Sequence, residues 1–241
     1  MKKIICLLLV LACSFAMFAC GKEDELTGAQ KTAQYYKNSL PTKVVTTSTQ
    51  TIMNASGVAV ATLNGKYELV TGTISGKLAT VQTYEQDYLR EVADGANNVI
   101  VGPIDTDTGS LEYLEGYGRR TNGGGWDPNG LNFGPTAGSI AINLQDDLLT
   151  KVNYTDGDNG INTLSFTVPN ANIAAVFGAD ADDVALLTAS SDVEVTITND
   201  GAFVNSITIS YSIAGTRYYP ERRVTMTTTY EYEVQSVELA H

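Results

Sequence analysis

The residues of this 241-residue chain with the most chemical scope are three cysteines, one histidine and 27 acidic side chains. The histidine is His241, the last residue. Ser-His-Asp triads, Cys-His pairs and histidine-metal centres therefore have no internal imidazole to build on. Asp105-Thr106-Asp107-Thr108-Gly109 and Asp156-Gly157-Asp158-Asn159-Gly160 space carboxylates as a calcium loop does. Each, however, has Gly one place early, where the third oxygen ligand belongs. Turn formation is the expected use of both segments. No spacing singles out a carboxylate pair for glycoside hydrolysis. Trp126 is the only tryptophan and follows Gly123-Gly124-Gly125. It either stacks on a sugar ring or gates a pocket, or else tucks beneath the sheet as a plug. No Gly-Lys-Ser/Thr follows the glycines, so a phosphate loop is excluded. Arg119-Arg120 and Arg222-Arg223 are paired basic sites, read as solvated strand ends or as a clamp for an anionic headgroup. No catalytic residue, metal or cofactor is expected, and the chain is not expected to be an enzyme.

Cysteine chemistry is concentrated at the N-terminus. Lys2 and Lys3 precede an apolar run from Ile4 to Ala19, broken only by Ser14. A basic start, an apolar stretch and a small residue before a cut form a secretory signal pattern. The run is shorter than the roughly 20 residues of a spanning helix, and polar Gly21-Lys22-Glu23-Asp24 follows it directly. Met17-Phe18-Ala19-Cys20 resembles a bacterial lipobox, with Ala19 in the small position and Met17 in place of the usual leucine. The alternative box Val10-Leu11-Ala12-Cys13 would leave the apolar Ser14–Ala19 stretch after the cut. The resemblance implies a diacylglycerol thioether on Cys20, usually with a further acyl chain on the new N-terminus. Each buried methylene adds about 0.8 kcal/mol, so two or more chains anchor stably. Cys6 and Cys13 would leave with residues 1–19, so the mature domain is expected to have no disulfide.

Loss of residues 1–19 removes Lys2 and Lys3 but no acid, which takes the net charge from −12 to −14. Such a surface disfavours nucleic acid and anionic lipid. Membrane association is then left to the lipid, on the extracytoplasmic face of the envelope.

The elements that must position any site follow. Residues 20–26 read as a lipidated tether. Leu26, Ala29, Ala33, Tyr36 and Leu40 recur at helical spacing up to Pro41. After Pro41 the period becomes two. Gly57–Leu63 and Lys66–Ile74 predict a hairpin across Asn64-Gly65, with a further turn at Gly76-Lys77 and a strand from Leu78 to Tyr84. The stretch 84–92 fits a strand end or a short helix. Strands are predicted at 99–104, 110–117, 139–144, 148–154 and 162–168, with a long irregular loop at Thr121–Gly138. Short helices are expected near 173–177 and 184–189. Val193, Val195 and Ile197, then Ile207, Ile209, Tyr211 and Ile213, then Val224, Met226, Tyr230, Tyr232 and Val234 each hold one parity. They predict an antiparallel meander with one apolar face.

This element order on a lipoprotein resembles the lipoprotein-carrier superfamily, the LolA-like and LppX-like proteins, over roughly residues 27–237. The resemblance implies a mainly β (α+β) single domain over 27–241: a strongly curved, unclosed antiparallel sheet, or half-barrel, with helices over its concave face. It also implies a lipid or other hydrophobic ligand between sheet and helices. The candidate lining is Val193, Val195, Ile197, Ile207, Ile209, Tyr211 and Ile213, with Trp126. The alternative is a surface structural or protein-partner-binding lipoprotein whose apolar residues fill a dry core.

Overall fold

The computed structural model describes Thr32 and residues 40–93, 99–134, 142–157, 159–178, 184–233, 235–237 and 239. The leader, Cys20 and the tether lie outside these residues. So does the helix predicted before Pro41, apart from Thr32, which is helical and buried. No helix among the described residues is long and apolar enough to cross a membrane.

Eleven strands form one sheet: β1 (Lys43–Met53), β2 (Ala59–Ile74), β3 (Lys77–Ala93), β4 (Val99–Leu114), β5 (Gly118–Thr121), β6 (Thr150–Thr155), β7 (Asn162–Val168), β8 (Val193–Asn199), β9 (Val204–Ala214), β10 (Glu221–Glu231) and β11 (Gln235–Ser236). The order is β5-β4-β3-β2-β1-β10-β9-β8-β7-β6, with every neighbouring pair antiparallel, and β11 adds to β2 in parallel. The sheet is unclosed, as expected, since β5 and β6 are opposite edges. It is not strongly curled, which corrects the expected half-barrel. β-bulges are the usual device for bending a sheet. Here the register shifts fall at Ile52/Met53, Leu89/Glu91, Thr150/Asn153 and Thr198/Asn199. None interrupts the middle of the central strands β1, β2, β9 and β10.

The hairpin predicted across Asn64-Gly65 is also corrected. β2 runs straight through both residues, and Gly65 lies opposite Ser48. A Cβ on Gly65 would come within 2.6 Å of Ser48 Oγ, so this glycine serves close cross-strand approach. The turn sits earlier: Asn54 Oδ1 accepts the N–H groups of Ser56 (2.9 Å) and Val58 (3.0 Å). Ser75 and Gly76, at φ 49° and 77°, make the next turn, with the two left-handed residues of a tight hairpin. The undecided stretch 84–92 is strand. The strands predicted at 99–104 and 110–117 are one strand, β4. Residues 142–144 are irregular rather than strand.

The meander is as predicted, β8-β9-β10, except that β10 ends at Glu231, before Tyr232; Val234 lies outside the described residues. Two short helices, α1 (Ile173–Phe177) and α2 (Val184–Leu187), lie beside it in sequence. Ile173 and Val176 of α1 and Leu186 of α2 join Leu144, Leu149, Leu164, Phe166, Val168, Val193, Val195 and Ile197 in one core. Fully burying a side chain of this size is worth about 1.5–3 kcal/mol. Gly178 ends α1 at φ 89°, its N–H donating to Ala174 O (3.0 Å). The Asn172 amide donates to Leu148 O (3.0 Å) and the Asn170 amide to Ala189 O (2.6 Å), which tie the segments flanking the helices to the core.

Register assigns each side chain to a face. On the helix face one row reads Leu164, Ile197, Ile207, Thr228, Thr46, Tyr67, Tyr84, Gly109. The next reads Phe166, Val195, Ile209, Met226, Ser48, Gly65, Gln86, Asp107. The first changes from apolar to polar and aromatic between β9 and β10, the second between β10 and β1. The opposite face is a field of hydroxyls, for example Ser165, Thr196, Thr208, Thr227 and Thr47 in one row. Its side chains bond one another, as in Thr198–Ser206 (2.7 Å) and Thr208–Thr227 (3.1 Å).

Candidate functional site

β2 and β3 pair only from Ile74↔Lys77 to Gly65↔Gln86. Beyond Gly65, β2 continues against β1, while β3 continues against β4 as far as Ala93↔Val99. The sheet therefore forks into two ribbons. At the fork the Asn64 N–H donates to Asp87 Oδ2 (3.0 Å) instead of to a strand carbonyl, and the Thr106 hydroxyl donates to Asp87 Oδ1 (2.8 Å). These donors, the Asn64 N–H first, hold the Asp87 carboxyl below its ordinary range.

Tyrosines occupy the helix face beside the fork. Tyr67 and Tyr84 are directly opposite in register, and their rings stack at 5.9 Å between centroids and 24° between planes. Gly109 makes the arrangement possible. A Cβ there would lie 2.5 Å from the Tyr84 ring, so glycine lets the ring lie flat across β4. The Tyr67 hydroxyl donates to Gln86 Oε1 (3.0 Å) and the Tyr84 hydroxyl to Asp107 Oδ2 (3.4 Å). The Asp107 carboxylate pushes Tyr84's ionisation upward, because the phenolate would be a second negative charge beside it. Tyr67 is 39% exposed and Tyr88, on the same face two positions beyond Gln86, is 46% exposed.

Two cavities open here. One of about 140 Å³ is lined by Ser48, Gln50, Leu63, Gln86, Tyr211 and Met226, among others, where the polar ribbon meets the apolar core. The other, of about 350 Å³, lies against Gln86, Tyr88 and Asp107. A third, of about 570 Å³, lies largely on the hydroxyl face and is lined by residues including Lys66, Glu85, Thr108, Ser110, Glu112 and Asn122.

The sequence-predicted lining residues come together, but around the core. Val193 and Ile197 are 0% exposed, Val195 2%, and Ile207 and Tyr211 5%; Ile209 and Ile213 pack against them, half-buried. Trp126 is not with them. It packs at the β5 edge, its ring 4.7 Å from the Arg120 guanidinium and 5.9 Å from the Tyr117 ring. Arg120 Nε and Nη2 both donate to Glu112 Oε2 (3.0 and 2.7 Å), and Glu112 is 2% exposed. The half-buried Trp126 thus covers a desolvated ion pair.

Neither acidic segment gathers ligands among the described residues, which do not include Asp158. Asp105–Gly109 is part of β4, which overturns its reading as a turn as well as a calcium loop. Asp105 pairs with Arg90 (2.7 Å). Asn159 Oδ1 accepts the Ile161 N–H (3.1 Å) and the Gly160 N–H donates to Gly157 O (3.0 Å), as a turn should. Among the described residues no group of three or more His, Cys, Asp or Glu is placed to hold a metal ion. Arg223 pairs with Glu221 (3.0 Å) rather than forming a clamp with Arg222. Tyr67, Tyr84 and Gln86 were missed by sequence reasoning. The usable signal was Tyr84-x-Gln86-x-Tyr88, amphipathic side chains on the parity where a core strand carries Val or Ile.

No family model and no curated protein matches the chain. Among solved structures it is similar to a DUF1329 family protein from Desulfovibrio piger, at 9% identity over 87% of this chain and 93% of that one, with a TM-score of 0.25. It is also similar to an N-terminal dehydratase from the difficidin assembly line, at 9% identity over 82% and 80% and a TM-score of 0.14. Similarity this low carries no argument about fold or activity.

Proposed function

We propose that this chain is a membrane-tethered, non-enzymatic envelope lipoprotein with a filled core. It works through the exposed surface of its sheet and loops and not by carrying a lipid inside. The observation that supports this reading most is the packing of Val193, Val195, Ile197 and Phe166, each at most 2% exposed. A hydrophobic carrier needs such residues to line space; interiors packed this closely offer none. The carrier reading rests on element order and on the helices beside β7–β9, with no observation that favours it over core filling. Tethering through Cys20 rests on the lipobox resemblance alone.

Two measurements test the proposal. Mass spectrometry of the chain from its own membranes should find acyl chains on Cys20, and Cys20→Ser should release the protein from the membrane fraction. Native mass spectrometry and solvent extraction of the released Cys20→Ser chain should then find no bound lipid. Stoichiometric lipid in that extract would overturn the filled-core reading.

A further inference from the structure

The fork between β2 and β3 has the side-chain chemistry of a carbohydrate site. Three tyrosines, Tyr67, Tyr84 and Tyr88, stand on the helix face beside the fork, where among the described residues the buried apolar side chains nearest along the β1–β2 ribbon are Ile52 and Leu63. Tyr67 and Tyr88 keep 39% and 46% of their surface in solvent. Rings left this open at mid-sheet are amphipathic surfaces of the kind that recur at binding sites. Tyr67 stacks with Tyr84, whose ring is seated low over Gly109 because that residue has no side chain. Planar hydrogen-bonding groups border the stack. Gln86 has its Oε1 engaged by Tyr67, which leaves its amide N–H groups without a partner among the described residues. Asp107 and Gln50 lie on either side. The two cavities, about 140 and 350 Å³, meet at Gln86.

Other occupants fit less well. A lipid tail would meet Leu63, Tyr211, Val224 and Met226 on one side of the smaller cavity but Ser48, Gln50, Asn64, Gln86 and Asp87 on the rest of it. A polyanion would meet Asp87 and Asp107, no basic residue in either cavity lining, and a chain of net charge −12. A sugar ring matches: its C–H face lies on an aromatic ring while paired hydroxyls bond amide and carboxylate groups.

We propose that the β2–β3 fork binds neutral carbohydrate, with a sugar ring stacked on Tyr67 and its hydroxyls hydrogen-bonded by Gln86 and Asp107. This goes beyond the filled-core reading and can fail without it: an empty fork leaves the core dry, and a lipid in the core leaves the fork as it is.

The test is calorimetric titration of the Cys20→Ser chain with neutral hexasaccharides of glucose, mannose and xylose, up to millimolar concentration, beside an oligogalacturonide. At least one neutral hexasaccharide should bind and the oligogalacturonide should not. Tyr67→Ala should weaken binding about tenfold, the loss of one stacking contact of about 1.4 kcal/mol. Tyr67→Phe should keep most of the affinity. Gln86→Ala, at an exposed position, provides a variant that leaves folding intact and should also weaken binding. Absence of binding across the neutral panel overturns the proposal. So does binding that neither Tyr67→Ala nor Gln86→Ala changes, or preference for the oligogalacturonide.

Discussion

The sheet has two halves that share hydrogen-bonded rows but not a mode of stabilisation. In β7–β10 the helix face is closed by α1, α2, Leu144 and Leu149 over Phe166, Val195 and Ile197. In β1–β4 the same rows continue as Ser48, Gly65, Gln86 and Asp107, or as Thr46, Tyr67, Tyr84 and Gly109. One half is held by burial. The other buries fewer apolar side chains, Ile52, Met53, Leu63 and Ala79 among the described residues, and relies more on the ladder, on cross-strand side-chain pairs, and at its edge on Glu112 and Arg120 beneath Trp126. A continuous backbone lattice therefore does not imply a continuous core.

Substitutions along one row break this comparison most sharply. Phe166→Ala should cost about 3–5 kcal/mol in urea unfolding, whereas Gln86→Ala in the same row should stay within about 0.5 kcal/mol. Equal costs would show that both halves bury alike. Glu112→Ala should cost about 3 kcal/mol, because it removes the buried carboxylate that the Arg120 guanidinium, 11% exposed, is paired with. An exposed ion pair would change stability by less than about 1 kcal/mol. Gly109→Val should cost about 1–3 kcal/mol by driving a side chain into the Tyr84 ring, and near-ultraviolet circular dichroism should show the Tyr67–Tyr84 stack disturbed.

Ionisation separates the halves more gently. Tyr232 is pushed up to about 12 by burial and then by the Asp200 charge. Tyr230, deeper in the core, is raised further, mainly by burial. Above pH about 10 the unfolded chain loses tyrosine protons that the fold retains. The unfolded state then binds fewer protons, so stability falls as pH climbs from about 10 to about 12. Alkaline unfolding curves should show this fall, and Tyr232→Phe should lessen it. An unchanged slope would mean that Tyr232 titrates freely.

Legibility from sequence followed the same division. The β8–β10 meander and α1 were readable because burial on one face imposes strict alternation, and Ile173–Phe177 was placed residue for residue. The β1–β4 half was misread at Asn64-Gly65 and at Asp105–Gly109. Both carry turn residues, yet both lie inside strands, because long-range register decided their conformation. Gly65 and Gly109 were informative for a different reason: each makes room for a side chain on the neighbouring strand. Trp126 was legible as unusual but not as a cover for Glu112–Arg120, since its partners are set by how the Gly-rich loop folds back on β5. The fork could not be seen at all, because it depends on where pairing between β2 and β3 stops.

Hydrogen–deuterium exchange of the full chain, followed by mass spectrometry, tests the two-part sheet most directly. Amides of β7, β8 and β9 should exchange only through global unfolding. Those of the ribbon beyond the fork, Asp87–Ala93 with Val99–Thr106, should exchange through much smaller openings, since a two-stranded ribbon is marginal by itself. Uniform protection from β3 through β8 would contradict the division on which the core and fork assignments rest.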